Sequence, residues 1–118
     1  MLSKGLAYEK IARKYLEQAG LTPIEDNFRS RFGEIDLIMF DRNTLVFVEV
    51  KYRKCASHGS ASESVTRSKQ KKIIKCAEIY LGRKNLWHLD SRFDVVAITS
   101  PSGFLSKHQI QWHKAAFY

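Results

Sequence analysis

The stretch GEIDLIMFDRNTLVFVEVKYR, residues 33–53, decides the fold of this chain. It contains two apolar runs, residues 35–40 and 45–50, which are separated by the polar residues 41–44. Valine, isoleucine and phenylalanine favour strands, and aspartate and asparagine favour turns. The stretch therefore predicts a β-hairpin.

Two carboxylates stand inside these apolar runs, Asp36 in the first and Glu49 in the second. A symmetric hairpin pairs Phe40 with Leu45, and this register places Asp36 opposite Glu49. Directly opposed strand residues share a face, with Cβ atoms roughly 4.5–5.5 Å apart. Carboxylates at that distance repel each other unless a cation lies between them, and Mg²⁺ takes carboxylate oxygen ligands. The hairpin therefore predicts a divalent metal site.

The same register places Lys51 opposite Glu34, on the face that also carries Glu49, because side chains two residues apart share a face. A metal held by Asp36 and Glu49, together with the Val50 carbonyl oxygen, lowers the pKa of a bound water and neutralises charge developing on phosphorus. Lys51 can orient or activate the attacking water, or stabilise the transition state. The pattern predicts phosphodiester hydrolysis.

The charge balance points to a polyanionic partner. The chain of 118 residues carries 20 Lys and Arg against 12 Asp and Glu, a net charge of +8. Its length predicts one domain, residues 1–118. A basic surface on a small domain indicates nucleic acid, or less often an anionic membrane, and a merely soluble basic protein is the alternative.

Several features predict a cytoplasmic protein that does not bind a membrane. No apolar run is long enough to span a bilayer, and the N-terminal residues lack the apolar core of a signal peptide. Cys55 and Cys76 have no metal-ligand spacing, so both are predicted to be free thiols in a reducing compartment.

Helical periodicity marks two further segments. Residues 4–19 predict a helix that ends at Gly20, and residues 66–82 predict a second helix that ends at Gly82. The residues expected to face the sheet are Tyr8, Ile11, Ala12, Tyr15 and Ala19 in the first helix and Ile73, Ala77, Tyr80 and Leu81 in the second.

Three more strands complete the prediction. Residues 22–29 precede the hairpin, residues 92–99 follow the second helix, and residues 110–113 are a short fifth strand. A strand, a helical crossover and another strand form a right-handed parallel unit, so residues 92–99 should lie parallel to residues 45–51. Asp94 is expected to be a structural hydrogen-bonding group. Residues 53–65 are predicted to be a mobile loop, and residues 101–103 a turn.

Glu9 lies beside the apolar face of the first helix, with Arg13 four residues later. The spacing alone favours an exposed ion pair between these two residues. The alternative is a carboxylate that reaches the site of Asp36 and Glu49.

The second helix carries a basic row, Arg67, Lys71 and Lys75, at a spacing of four residues. Like charges at this spacing destabilise a helix, and a polyanion would relieve the repulsion. The row therefore predicts phosphate contacts. The full set of predicted nucleic-acid-binding residues is Arg29, Arg31, Arg53, Lys54, Arg67, Lys69, Lys71, Lys72 and Lys75.

The chain resembles the PD-(D/E)xK nuclease superfamily, and more closely the YraN family, small bacterial proteins similar to archaeal Holliday-junction resolvases. The match covers nearly the whole chain. The matching residues are Gly5, Glu9, Ala12, Tyr15, Leu16, Gly20, Asn27, Arg29, residues 33–38, residues 47–53, residues 92–96, Ala116 and Phe117.

The resemblance implies an α/β fold, a restriction-endonuclease-like α-β-β-β-α-β core with a mixed central sheet flanked by helices. It implies that Asp36, Glu49 and Lys51 form the catalytic centre, with Mg²⁺ as the metal and Mn²⁺ as a substitute. It also favours a catalytic and metal-binding role for Glu9, because related nucleases place a glutamate of the first helix at the metal site.

Two departures from the superfamily pattern stand out. Ile35 takes the place of the proline that precedes the first aspartate, which is a common variation. Gln70 has no tyrosine four residues later, so the QxxxY signature of recombination-type exonucleases is absent. This absence argues against an exonuclease.

The leading hypothesis is a metal-dependent DNA endonuclease acting on branched or otherwise structured DNA. The alternatives are a non-catalytic nucleic-acid-binding module that keeps the fold, and a structural protein in which Lys51 pairs with Glu49 or Glu34. The choice between DNA and RNA stays open, as does a homodimer.

Overall fold

A computed structural model describes residues 4–53, 65–99 and 108–118. The predicted mobile loop, apart from residues 53 and 65, and the predicted turn at residues 101–103 lie outside these ranges, as do Lys54 and Cys55. In chain order, the elements are α1 (Lys4–Gln18), β1 (Thr22–Ser30), β2 (Gly33–Asp41), β3 (Thr44–Arg53), α2 (Arg67–Lys84), β4 (Ser91–Thr99) and β5 (Gln109–Phe117).

The strands form one mixed sheet with the order β1-β2-β3-β4-β5. The β3–β4 pair is parallel and the other three pairs are antiparallel. A crossover through α2 connects β3 to β4, as a parallel pair requires. The predicted α-β-β-β-α-β order is confirmed, and β5 extends the sheet beyond it. The fifth strand is longer than predicted, because its pairing with β4 continues to Phe117.

The hairpin register agrees with the prediction over its inner part. Phe40 pairs with Leu45, and the ladder continues outward to the pair of Leu37 with Val48. The predicted extension is wrong, because neither Asp36 and Glu49 nor Glu34 and Lys51 continue the ladder. β2 and β3 therefore stop pairing at the residue that the sequence assigns to the metal.

Each face of the sheet is covered by one helix. Tyr8, Ala12 and Leu16 of α1 are buried in one apolar cluster, and α2 lies in a second cluster on the other face. Ala19 does not face the sheet as predicted, because it is exposed past the end of α1. Tyr15 is 36% exposed, but its ring packs edge-on against Trp112 of β5, with the ring centroids 6.4 Å apart. The buried residues Tyr8, Ala12 and Leu16 follow one another at a spacing of four. Leu16 is not among the residues predicted to face the sheet.

The second helix buries Ile73, Ala77, Tyr80 and Leu81, as predicted, together with Cys76. It does not end at Gly82. It continues to Lys84, and Asn85 terminates it in the left-handed conformation with φ 56°. Asparagine tolerates this conformation better than other non-glycine residues, so it can replace glycine at a helix end.

Within the ranges that the structure describes, neither helix has the length and apolarity needed to cross a bilayer. The thiol of Cys76 is free and buried.

Asp94 has the structural role predicted for it. Its fully buried carboxylate accepts hydrogen bonds from Arg92 Nε at 3.0 Å, Trp112 Nε1 at 2.9 Å and the Ala115 backbone N–H at 2.9 Å. Arg92 also contacts Asp41 at 2.8 Å. This network connects β2, β4 and β5, and it compensates a charge that could not otherwise be buried.

Replacing Trp112 with phenylalanine should lower the free energy of unfolding by about 1.5–3 kcal/mol, because it removes one donor to a buried carboxylate and keeps an aromatic ring. Urea denaturation followed by circular dichroism measures the change. Trp87→Phe is the matched control, since Trp87 is 59% exposed and should be nearly neutral. Equal stability of the two variants would contradict a stabilising role for the Asp94 network.

Candidate active site

The candidate site lies where both ladders of β2 are interrupted. Asp36 is unpaired on both sides: the β2–β3 ladder stops at Leu37, and the β1–β2 ladder skips from Asp26↔Leu37 to Phe28↔Ile35. The Asp36 Oδ2 atom accepts the Val50 backbone N–H at 2.8 Å. The side chain of Asp36 thus accepts a backbone donor of β3 at a position where the β2–β3 ladder has already ended.

Three carboxylates converge at this interruption. Glu9 from α1 and Glu34 and Asp36 from β2 each place one oxygen within 4.8 Å of the others. Because oxygens so close can bind one cation, these residues form a candidate metal centre, called here the acidic group. The group includes Glu9, as the resemblance implies, and Glu34, which the sequence analysis placed opposite Lys51.

Arg13 does not pair with Glu9, so the ion pair favoured by spacing alone is wrong. The Arg13 guanidinium instead lies 3.3 Å from Glu17 and 2.8 Å from Asp26. The Glu9 Oε1 atom is buried and has no hydrogen-bond partner among the described residues. Glu9 is therefore oriented toward the acidic group, with one oxygen uncompensated.

The acidic group carries more negative charge than its surroundings compensate. Burial and the charge of Glu49 raise the pKa of Asp36 from its ordinary 3.8 to about 8, although the Val50 N–H opposes the shift. Burial also raises the pKa of Glu9, despite hydrogen bonds with Asn27 and Asp36. Without a cation, Asp36 therefore gains a proton more readily than an exposed aspartate does.

Glu49 lies close enough to Asp36 to affect its pKa, but Glu49 is not part of the acidic group. It is 5% exposed, and its Oε1 atom lies 2.6 Å from the Lys69 Nζ atom of α2. The Thr66 side chain caps α2 by accepting the Lys69 backbone N–H at 3.2 Å. This cap fixes the first turn of the helix and so positions Lys69 over Glu49.

Lys51 is half-buried beside Lys69 rather than opposite Glu34. Burial, the Lys69 charge and a hydrogen bond from Lys69 lower the pKa of Lys51. Burial also acts to lower the pKa of Lys69, but the hydrogen bond and the charge of Glu49 outweigh it and raise that pKa. The two lysines therefore differ: Lys69 holds its proton as the partner of Glu49, and Lys51 releases its proton more easily.

Most of the predicted phosphate-contacting residues are exposed, but several also have partners inside the protein. Arg29 lies 3.0 Å from Glu34 and is 80% exposed. The cations of Arg31 and Lys75 lie 5.0 Å and 5.1 Å from the centroid of the Phe32 ring. Arg53 donates to the Gln111 side chain at 3.1 Å. The remaining exposed members of the described set are Arg67, Lys71 and Lys72.

Sequence reasoning missed Glu34 as a candidate ligand, and it predicted Lys69 as a phosphate contact but not as the partner of Glu49. A signal for Glu34 was present, because residues 34 and 36 of one strand can share a face. No comparable signal predicted the pairing of Lys69 with Glu49, since it depends on how α2 crosses the sheet. The site therefore combines residues of both helices with residues of β2 and β3.

The chain is similar to known proteins along most of its length. The family model described as uncharacterised protein family UPF0102 matches residues 8–98. A UPF0102 protein of Vibrio campbellii is 50% identical over 96 residues, which cover 80% of this chain and 79% of that protein. The UPF0102 protein YraN of Salmonella newport is 47% identical over 115 residues, 96% of this chain and 82% of that protein. The resemblance to YraN proteins is confirmed, and the chain belongs to the UPF0102 family.

Proposed function

We propose that this protein is a metal-dependent endonuclease that hydrolyses phosphodiester bonds in structured or branched DNA. The observation that supports it best is the acidic group, three carboxylates whose oxygens lie within 4.8 Å of one another. Two lysines lie beside it, near Glu49. Oxygen ligands for a hard cation and amino groups for a phosphate are the parts that such a reaction needs.

The residues fit a divalent cation. The buried Glu9 Oε1 atom has no hydrogen-bond partner within the described ranges. Burial and the charge of Glu49 raise the pKa of Asp36 to about 8, and a bound cation would oppose that shift. The candidate ligands are Glu9, Glu34 and Asp36, with Glu49 and the Val50 carbonyl oxygen as further ligands from β3. Mg²⁺ suits these oxygen donors, and Mn²⁺ can replace it.

A bound Mg²⁺ would lower the pKa of a water and offset negative charge on the phosphoryl oxygens. Lys51 would orient or activate the attacking water, or stabilise charge in the transition state. Lys69 would hold Glu49 in place and keep a positive charge next to Lys51. These assignments give each polar residue near Asp36 a separate role.

A non-catalytic nucleic-acid-binding module is the second candidate. It is favoured by the 2.6 Å contact of Lys69 with Glu49, because this ion pair already compensates a carboxylate without any metal. A binding module needs the exposed cations but not the acidic group. The structural alternative, in which Lys51 pairs with Glu49 or Glu34, is not favoured, because Glu49 pairs with Lys69 and Glu34 with Arg29.

Cleavage of labelled nucleic acids separates these functions. The substrates are duplex, single-stranded, flap and four-way-junction DNA, with matched RNA, incubated with Mg²⁺, Mn²⁺ or EDTA. The proposed function predicts endonucleolytic products that require metal and the wild-type acidic group. Asp36→Asn serves as the inactive variant, and Glu78→Gln, an exposed acidic position on α2, serves as the control. Binding without cleavage on every substrate would favour the module.

Binding should be electrostatic and nearly independent of sequence. Affinity should fall steeply between about 50 and 200 mM salt, because each phosphate contact releases counterions. Replacing Lys71 and Lys72 with glutamine should reduce the salt slope by about one unit per lysine. The matched control is the same replacement of Lys10 and Lys14, exposed lysines of α1. An equal change of slope in both double variants would argue against a phosphate-binding face on α2.

A further inference from the structure

Asn27 has an unusual backbone conformation for a residue inside a strand. Its φ angle is 54°, in the left-handed region, although its neighbours Asp26 and Phe28 continue the pairing with β2. Left-handed conformations are unfavourable for residues with a Cβ atom, and asparagine is among the most tolerant. Backbone strain of this kind concentrates at functional sites.

The strained position lies at the acidic group. In the register of β1 with β2, Asn27 would be the partner of Asp36, and this pair is missing from the ladder. The side-chain amide of Asn27 lies close enough to the Glu9 carboxylate to oppose, as a hydrogen-bond donor, the rise in the pKa of Glu9. Asn27 thus joins β1 to a carboxylate of α1 at the point where β2 carries Asp36.

If Asn27 had a purely structural role, only its left-handed backbone conformation would be required at this position. Glycine adopts left-handed angles without steric cost, so it would serve a bulge or kink at least as well as asparagine. Glycine has no side-chain donor, whereas the amide of Asn27 can donate a hydrogen bond to the Glu9 carboxylate. The buried Glu9 Oε1 atom keeps no hydrogen-bond partner among the described residues.

We infer that Asn27 is a positioning residue of the metal centre. Its left-handed backbone directs the side-chain amide at Glu9, and the resulting hydrogen bond orients the Glu9 carboxylate so that one oxygen faces Asp36 and Glu34. The inference rests on the proposed function, because it assigns Glu9 to a divalent cation. Residues that orient metal ligands commonly contribute a factor of 10–100 to metal affinity.

The decisive variant is Asn27→Gly, which keeps the backbone conformation and removes the amide. Mn²⁺ is the probe, and its binding is measured by the electron paramagnetic resonance signal of the free ion. We expect the affinity for Mn²⁺ to fall on the order of 10–100-fold. The thermal midpoint of the metal-free protein should not fall. Unchanged Mn²⁺ affinity in Asn27→Gly would overturn the inference.

A double-mutant cycle with Glu9→Gln tests whether Asn27 acts through Glu9. If it does, Asn27→Gly should change the Mn²⁺ affinity of Glu9→Gln far less than that of wild type, because coupled residues are not additive. Additive losses would overturn the inference. Asn27→Ala, which keeps the strain without the amide, should match Asn27→Gly in Mn²⁺ affinity and have a lower thermal midpoint.

A readout without metal separates this inference from the proposed function. The carbon-13 resonance of the Glu9 side-chain carboxylate should shift in metal-free Asn27→Gly, while that of Glu17, an exposed carboxylate of α1, should not. An unshifted Glu9 resonance would refute the positioning role, even for a protein that binds Mn²⁺. If wild type binds no Mn²⁺ and the Glu9 resonance still shifts in Asn27→Gly, the metal centre is refuted and Asn27 remains the residue that orients Glu9.

Discussion

Lys51→Ala should slow single-turnover cleavage on the order of 10²–10³-fold, the usual scale for losing one donor that stabilises a transition state. Lys51 is two residues beyond Glu49 on β3, and its amino group lies beside Lys69. A positive charge at this position would stabilise negative charge that develops during the reaction. A proton acceptor there would activate the attacking water. The affinity for DNA should change far less, because one phosphate contact among many is lost.

The Lys51→Arg variant distinguishes the two roles open to this lysine. Burial and Lys69 lower the pKa of Lys51, which favours a neutral amine that can accept a proton from water. Arginine keeps the positive charge but does not lose its proton in proteins. It should therefore restore cleavage if Lys51 stabilises charge, and it should remain as slow as alanine if Lys51 is the base.

The Lys51 experiment is single-turnover cleavage of a four-way junction, with affinity measured in Ca²⁺. Lys10→Ala, at an exposed lysine of α1, is the control for the loss of one charge. Lys69 still compensates Glu49 in Lys51→Ala, so the folded state should persist. Equal cleavage by wild type and Lys51→Ala would remove Lys51 from the mechanism.

Asp36→Asn should abolish metal-dependent cleavage and, without metal, make the protein more stable at alkaline pH. The folded-state pKa of Asp36, about 8, lies above its ordinary value of 3.8. The stability contributed by the protonated group is fully present below the unfolded-state pKa, and it is lost as the pH rises through about 8. Asparagine resembles the protonated carboxyl group, so the variant avoids this loss.

The stability difference should therefore grow in favour of Asp36→Asn by about 2–4 kcal/mol between about pH 5 and pH 8. Urea denaturation in EDTA measures it, with Asp90→Asn as the control at an exposed carboxylate. Added Mn²⁺ should reverse the order, because a ligand that binds only the folded wild type stabilises it. Parallel pH profiles for Asp36→Asn and wild type would contradict the raised pKa.

Local pattern was sufficient to predict most of the fold. The alternation and the short polar turn of residues 33–53 determined the hairpin and the pairing of Phe40 with Leu45, because strand periodicity and turn chemistry act between near neighbours. The apolar stripe of residues 73–81 determined the buried face of α2, and the strand-helix-strand order determined that β4 is parallel to β3. The two carboxylates inside apolar runs indicated where chemistry should be sought.

The composition of the site depended on tertiary structure. An ideal ladder would place Asp36 opposite Glu49, but the ladder ends one residue earlier, and Asp36 accepts the Val50 N–H instead. Glu9 and Lys69 reach the site from helices on opposite faces of the sheet, and no spacing along the chain encodes such an approach. Periodicity reports which face a residue occupies, whereas the end of a ladder and the crossing of a helix are decided by packing across the whole sheet.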